Sequence, residues 1–307
     1  MPFLFEPNGK FRQQEPLARH SSFRIGGKAQ YFAEPLTRSD LSFLISEVEA
    51  QGMPWILIGN ASNILFSDEG FDGLVISLKK LELHRIKIDG PLVKASAGVG
   101  LIQLAHTLAE HSLGGMEFVS TIPGTVGGGL VMNAGYSRHP GKTNQISDWI
   151  EEVVILGPDG MPQALKPEDI DFQYRSSSLA GQVVVEATFR LRSVPREEAL
   201  RELKANIDYR TGVQPLNYPS AGSVFKNPKN IEFTAGQLID RCGLRGCRVG
   251  DAQISEKHGN FIVNLGQARA RDVLELIEIA KDRVKEKFGT ELELEVKYIS
   301  SEAPLSV

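Results

Sequence analysis

Apolar positions at helical spacing first appear in residues 39–52, where Leu41, Leu44, Ile45 and Val48 follow Ser39. This predicts a short amphipathic helix with Ser39 as its cap. After Pro54 the run WILIG reads as a buried strand, and 74–78 (LVISL) and 92–97 (LVKASA) read as further strands. Residues 101–112 have helical spacing and meet a stop signal at Gly114 and Gly115. Strand patterns return at 151–156, 161–165 and 183–191, with a Pro158–Asp159–Gly160 turn between the first two. Residues 195–210 form a charged amphipathic helix, and a domain boundary is expected near Ser193–Pro195. In 268–288, Leu274, Ile277, Val284 and Phe288 mark one stripe of a long helix that Gly289 ends. The last strand alternates, with Leu292, Leu294 and Val296 on one side and Glu291, Glu293, Glu295 and Lys297 on the other. Strands and helices mix without regular βαβ repetition, so the expected class is α+β.

Between these elements lie three loop-rich blocks, 59–73, 120–135 and 214–228. Composition sharpens their meaning. Thirty of 307 residues are Gly, more than the usual ~7%, and the first two blocks are dense in them. Glycine lets main-chain N–H groups approach phosphate oxygens with no side chain in the way. Asn60, Ser62, Asn63, Ser120 and Thr121 add neutral donors. Two such loops could clasp a diphosphate, but on composition alone they also read as tight turns between strands. A net charge of −4 argues against an electrostatic nucleic-acid binder, and backbone donors would need few lysines. Cys242 and Cys247 fit neither a redox pair nor a paired zinc ligand set, and two free thiols suit a reducing compartment. The first fifteen residues lack a basic segment followed by an apolar core, and no apolar run approaches the ~18 residues of a membrane span. A cytoplasmic location without a membrane partner is the expectation.

Other motifs fail on their spacing. Gly98 and Gly100 follow a strand, but Gln103 occupies the third glycine position of a dinucleotide fingerprint. Gly141, Lys142 and Thr143 suggest a phosphate loop, yet Gly135 lies one residue too far upstream and Pro140 lacks an amide donor. His106 and His111 are five apart on one helix, and His20, His84, His139 and His258 are scattered, so no metal site is expected.

Eight segments carry a resemblance that spans nearly the whole chain: SFRIGGKAQYF (22–32), ILIGNASNIL (56–65), IPGTVGGGLVMNAG (122–135), YRSS (174–177), PSAGSVFKNP (219–228), AGQLIDRCGLRGCRVGDAQIS (235–255), KHGNFIVN (257–264) and LELEVKYIS (292–300). In this order they resemble the UDP-N-acetylenolpyruvoylglucosamine reductase (UDP-N-acetylmuramate dehydrogenase) family, flavoenzymes of peptidoglycan synthesis. The Tyr218–Pro219–Ser220 version of the third block is similar to the shorter family type.

The resemblance implies a vanillyl-alcohol-oxidase-like FAD-binding domain plus a smaller C-terminal α+β substrate domain. It implies subdomains at 1–70 (joined by the last strand, about 290–307) and 71–194, and a substrate domain at 195–289. FAD would be held at Gly59, Asn60, Ala61, Ser62, Asn63, Ser120, Thr121, Pro123, Gly124, Thr125, Gly127, Gly128, Asn133 and Gly135. NADPH would supply electrons, and a UDP-sugar would be reduced by a monomeric enzyme. Arg175, Ser223 and Glu295 carry the implied catalytic roles, and Tyr174, Lys226, Asn227, Gln237 and His258 are candidates for substrate contacts. Without the resemblance, Arg175 reads as a surface cation, Ser223 as a turn residue and Glu295 as one of three solvated carboxylates. Another FAD-dependent oxidoreductase of the same domain class, or a non-catalytic nucleotide-sugar binding protein, would share the glycine blocks. The stretch after Gly135, YSRHPGKTNQ, departs from the family pattern.

Overall fold

The computed structural model describes residues 9–136, 138, 144–229 and 231–301, without the side chains of 82–84. The rejected phosphate loop at 141–143, His139 and most of the unusual 136–145 stretch lie outside the described residues, as does the His84 side chain.

Strand β1 (Gly9–Pro16) pairs antiparallel with β2 (Lys28–Pro35). Strands β3 (Trp55–Ile58) and β5 (Phe71–Ser77) extend this sheet in parallel, in the order β1-β2-β5-β3. The expected boundary at 70/71 therefore falls between strands of one sheet. Period-two alternation feeds two cores. Ala33, Leu74 and Ile76 face the larger core with Leu41, Leu44 and Val48 of α1 (Arg38–Ala50). Phe32, Ile56, Ile58 and Val75 face a smaller one with Phe66 and Ile299.

Thr37, not Ser39, caps α1. Its hydroxyl accepts the Asp40 amide at 3.1 Å, while the Asp40 carboxylate accepts the Thr37 amide at 3.2 Å. This reciprocal box satisfies two orphan donors, which a lone Ser39 cap could not do. Strand β4 (Ile64–Phe66) lies inside the first glycine block and pairs in parallel with the last strand, Lys297–Ile299.

A five-stranded antiparallel sheet follows. It uses β6 (Ile86–Asp89), β7 (Leu92–Ser96), β8 (Ile150–Leu156), β9 (Pro162–Leu165) and β10 (Val183–Arg190) in the order β9-β8-β10-β7-β6. Helix α2 (Leu101–Glu110) ends before the expected glycines, because Ser112 takes the left-handed conformation at φ 60° and Gly114 pairs with Arg192. The second glycine block is not all loop. It contains α3 (Val126–Val131), capped by Thr125. Glycine costs about 1 kcal/mol against alanine in a helix, but here close packing demands it: a Cβ on Gly127 would lie 3.0 Å from that of Ala97.

Helix α4 (Arg196–Val213) packs on α2 and the 117–121 turn, and its Ala199 and Leu203 belong to the larger core. The expected boundary near 193–195 separates α4 from that core. The C-terminal core starts at Ala221 and joins α5 (Ala235–Arg241), α6 (Ala270–Phe288) and the small sheet of β11 (Arg248–Val249), β12 (Ala252–Ile254) and β13 (Ile262–Asn264). Phe23, Ile25 and Leu65 from the N-terminal part also enter it.

Polar contacts fasten the two parts. Ser22 donates to the Ser220 carbonyl at 2.8 Å, and Asn264 donates to the Phe23 carbonyl at 3.1 Å. Asp68 caps α6 across the junction, accepting the amides of Ala270 at 2.8 Å and Arg271 at 3.1 Å. The Asp68→Ala protein is expected to lose about 1 kcal/mol of stability. Thermal unfolding reads this as a lowered Tm, partly recovered by Asp68→Asn; an unchanged Tm would refute the capping role.

The last strand is regular only at β14 (Lys297–Ile299). Upstream, 293–296 is held by a few bonds: Lys226 N–H to the Glu293 carbonyl and Glu295 N–H to the Val224 carbonyl, each 2.8 Å, and Val296 N–H to the Val224 carbonyl at 3.3 Å. Leu292 and Val296 are buried while Glu291, Glu293 and Lys297 are exposed, so the alternation survives. Glu295 departs from it, with a side chain only 16% exposed. Among the described residues, no helix is long and apolar enough to cross a membrane.

Candidate active site

A cleft of about 460 Å³ opens where the glycine blocks meet the C-terminal part. The first block lines it from Gly59 to Asn63, and the second lines it at Pro123, Gly124, Thr125, Gly127, Gly128 and Gly135. Ser120, Thr121 and Asn133 do not line it. Thr121 lies in the 3-10 turn packed against α2 and α4, where its hydroxyl donates to the Phe118 carbonyl. Ser120 is buried in the same turn, its hydroxyl without a partner among the described residues. Asn133 is buried and donates to Gln145 and to the Gln173 carbonyl, so it braces the wall.

The walls fit a phosphate-bearing flavin. A Cβ on Gly59 would come within 2.2 Å of the Thr125 hydroxyl, so glycine there lets the two blocks touch. A Cβ on Gly128 would meet nothing nearer than 3.6 Å, so glycine there leaves the backbone open to the cleft. Ala61 sits at φ 45°, and the amides of Asn60, Ala61 and Ser62 have no acceptor among the described residues. Successive free amides around a left-handed residue form an anion-binding concavity. Trp55, Leu57, Leu78, Ile122 and Val184 supply apolar wall for a ring system.

Arg175, Ser223 and Glu295 all line this cleft. Arg175 has φ 59°, an uncommon conformation for a side chain of its size. Its Nε lies 3.1 Å from Glu295 Oε1, its Nη2 donates to the Gly135 carbonyl at 2.7 Å, and its guanidinium lies 4.8 Å from the Tyr174 ring. Its Nη1 is buried with no partner among the described residues. Burial pushes the Glu295 carboxyl above the usual range, against the opposing pull of Arg175 and Lys226. Ser223 follows Gly222, whose φ is 76°, and bridges to Phe261. Glu295 N–H bonds the carbonyl of Val224, so the serine and glutamate sit on directly connected backbones.

Among the lining residues that escape the sequence reading are Tyr136, Arg210 and Gln214. Arg210 donates to the Thr121 carbonyl and to Gln214, and its guanidinium lies 5.4 Å from the Tyr136 ring. It has no carboxylate partner among the described residues. Burial lowers its pKa to about 10, so it remains charged at neutral pH. Burial raises the Tyr136 phenol to about 12, and its hydroxyl has no partner among the described residues. Arg210 looks like one more cation on a charged helix; its place directly before the third loop block was the available signal.

None of the five substrate-contact candidates lines the cleft. Tyr174 stacks on Arg175. Lys226 pairs at 2.6 Å with exposed Glu293. Asn227 accepts the Ala235 amide and Gln237 completes the capping box of α5. His258 packs edge-on against Phe261, accepts the Asn260 amide at 3.1 Å, and has its pKa lowered by burial.

Comparison with known proteins agrees with this division. The signature of an FAD binding domain matches residues 29–165, and that of the UDP-N-acetylenolpyruvoylglucosamine reductase C-terminal domain matches 214–299. The chain is 46% identical over 291 residues to UDP-N-acetylenolpyruvoylglucosamine reductase 2 of Symbiobacterium thermophilum, covering 94% of this chain and 92% of that one. It is 42% identical over 287 residues to the reductase of Moorella thermoacetica, covering 92% and 91%. Among solved structures, the reductase of Thermus caldophilus superposes with a TM-score of 0.78 at 37% identity, covering 95% of this chain and 98% of that one.

Proposed function

The chain belongs to the UDP-N-acetylenolpyruvoylglucosamine reductase family, and from that premise we propose that it reduces a UDP-linked enolpyruvyl amino sugar to the lactyl ether, UDP-N-acetylmuramate, in peptidoglycan precursor synthesis. It is an FAD-dependent oxidoreductase that draws on NADPH. The observation that carries the reading is the Arg175 guanidinium, which lines the cleft, is fixed by Glu295 and Gly135, and keeps a buried Nη1 without a partner among the described residues.

The amides of Asn60–Ser62 and the open backbone of the second block would hold FAD, which when bound would supply hydride transfer from NADPH to the terminal carbon of the double bond. The protein's task is placement and charge. The substrate carboxylate would take the free face of Arg175, which stays charged and can grip it with parallel bonds. Charge that develops on the adjacent carbon spreads into that carboxylate, where the guanidinium stabilises it. Ser223 Oγ would give its proton to the same carbon. Glu295, kept protonated to higher pH by burial, would hold the other side of the carboxylate. Hydride on one carbon and a proton on its neighbour complete the saturated ether.

Arg210, with Tyr136, would meet a second anionic group, the diphosphate. Replacing Arg210 by Met is expected to raise KM for the UDP-sugar roughly ten- to hundredfold, the worth of one charge-assisted hydrogen bond. Flavin content should persist, and steady-state kinetics with flavin analysis checks both. The overall reading is tested by incubating the holoenzyme with NADPH and the enolpyruvyl UDP-sugar. Equimolar NADPH oxidation and a product heavier by two hydrogens supports it; NADPH oxidation without that product refutes it.

A further inference from the structure

We propose that Asn63 is a positioning residue for Glu295, fastening the carboxylate-bearing segment to the cofactor loop rather than donating to the cofactor. Its side-chain amide donates to the Glu295 carbonyl at 2.9 Å, and its own carbonyl accepts the Lys297 amide at 2.9 Å. Two bonds from one residue thus clasp both sides of Val296. The same Nδ2 lies 3.7 Å from Met132 Sδ in the second glycine block, so both amide hydrogens are directed at protein acceptors. On the other side, Glu295 is held by the Val224 carbonyl, next to Ser223. With 293–296 outside any regular strand, these few bonds set how far Glu295 reaches toward Arg175.

Replacing Asn63 with Ala removes the side-chain half of the clasp, keeps the backbone bond to Lys297, and leaves the groups that face Glu295, namely Arg175 and Lys226. The inference rests on the proposed reaction only for its kinetic arm. In anaerobic stopped flow, Asn63→Ala holoenzyme is expected to keep its flavin and to be reduced by NADPH within about twofold of wild type. Reoxidation by the enolpyruvyl UDP-sugar should slow at least about tenfold, the effect of about 1.4 kcal/mol. Asn63→Gln, which keeps the donor, should recover part of that rate. Loss of flavin, or equal slowing of both half-reactions, would overturn the proposal in favour of a cofactor ligand or a general structural role.

The second arm needs no substrate. A carbon-13 NMR titration of glutamate carboxyls in the oxidised holoenzyme, with Glu295 assigned by its loss in Glu295→Gln, should show Glu295 titrating nearer an ordinary glutamate in Asn63→Ala. An unchanged Glu295 titration overturns the positioning role whatever the substrate. A wild-type enzyme that the UDP-sugar fails to reoxidise would instead indict the functional reading.

Discussion

The Ser223→Ala enzyme is expected to accept electrons from NADPH at close to the wild-type rate and then to stall. Its Oγ makes no hydrogen bond to the described residues, so its loss leaves the backbone bridge to Phe261 and the pinning of Val224 in place. The defect should therefore fall on the second half-reaction alone, where a proton must reach the carbon beside the carboxylate. General acid catalysis by a positioned group is worth roughly 10²–10⁴-fold. With no second hydroxyl yet assigned to that carbon, turnover should drop by about 10³-fold or more. Rapid-reaction traces of the two half-reactions check this. Normal turnover by the variant would remove serine as the proton donor.

The Glu295→Gln enzyme should lose about 10²-fold or more in reoxidation of the flavin and should also change its pH dependence. Burial raises the Glu295 pKa above that of an ordinary glutamate, and Arg175 only partly opposes it. A bound substrate carboxylate would share that guanidinium and add a like charge, raising it further. The protonated form is the one that can donate to the substrate, so wild-type reoxidation should decline as pH rises through the folded-state pKa. Gln does not titrate, so that alkaline decline should vanish in the variant. The stability sign follows the same direction. The folded state holds this proton more tightly than the unfolded chain, so its contribution is full below the ordinary glutamate pKa and is lost as pH climbs to the folded value. The Tm of wild type relative to Glu295→Gln should therefore fall across that window. A pH-independent difference in both rate and Tm would contradict the buried-acid assignment.

Periodicity made most of the scaffold legible, because apolar spacing at α1, α4 and α6 and alternation along 291–297 follow from which face each element buries. It failed where tertiary packing overrides propensity. Three successive glycines look like a loop, yet Val126 and Leu130 anchor them in α3 while Ala97 leaves room for nothing larger at Gly127. Charged residues hid in the same way. Arg210 has the sequence surroundings of a solvated cation but lies partly buried beside Tyr136, and a single helix cannot reveal what its neighbour covers. Asn227 and Gln237 show the reverse: polar residues in motif segments whose side chains accept amides at the start of α5. Arg175, Ser223 and Glu295 were each unremarkable in isolation. Motif order singled them out, and folding brings residues far apart in the sequence to one cleft.

The account depends on flavin and enol ether meeting in that cleft. The most direct measurement is a single turnover without oxygen: reduce the bound flavin with one equivalent of NADPH, add the enolpyruvyl UDP-sugar, and follow flavin absorbance. The account predicts prompt return of the oxidised spectrum with one lactyl product per flavin. A flavin that stays reduced in the presence of saturating UDP-sugar would contradict it.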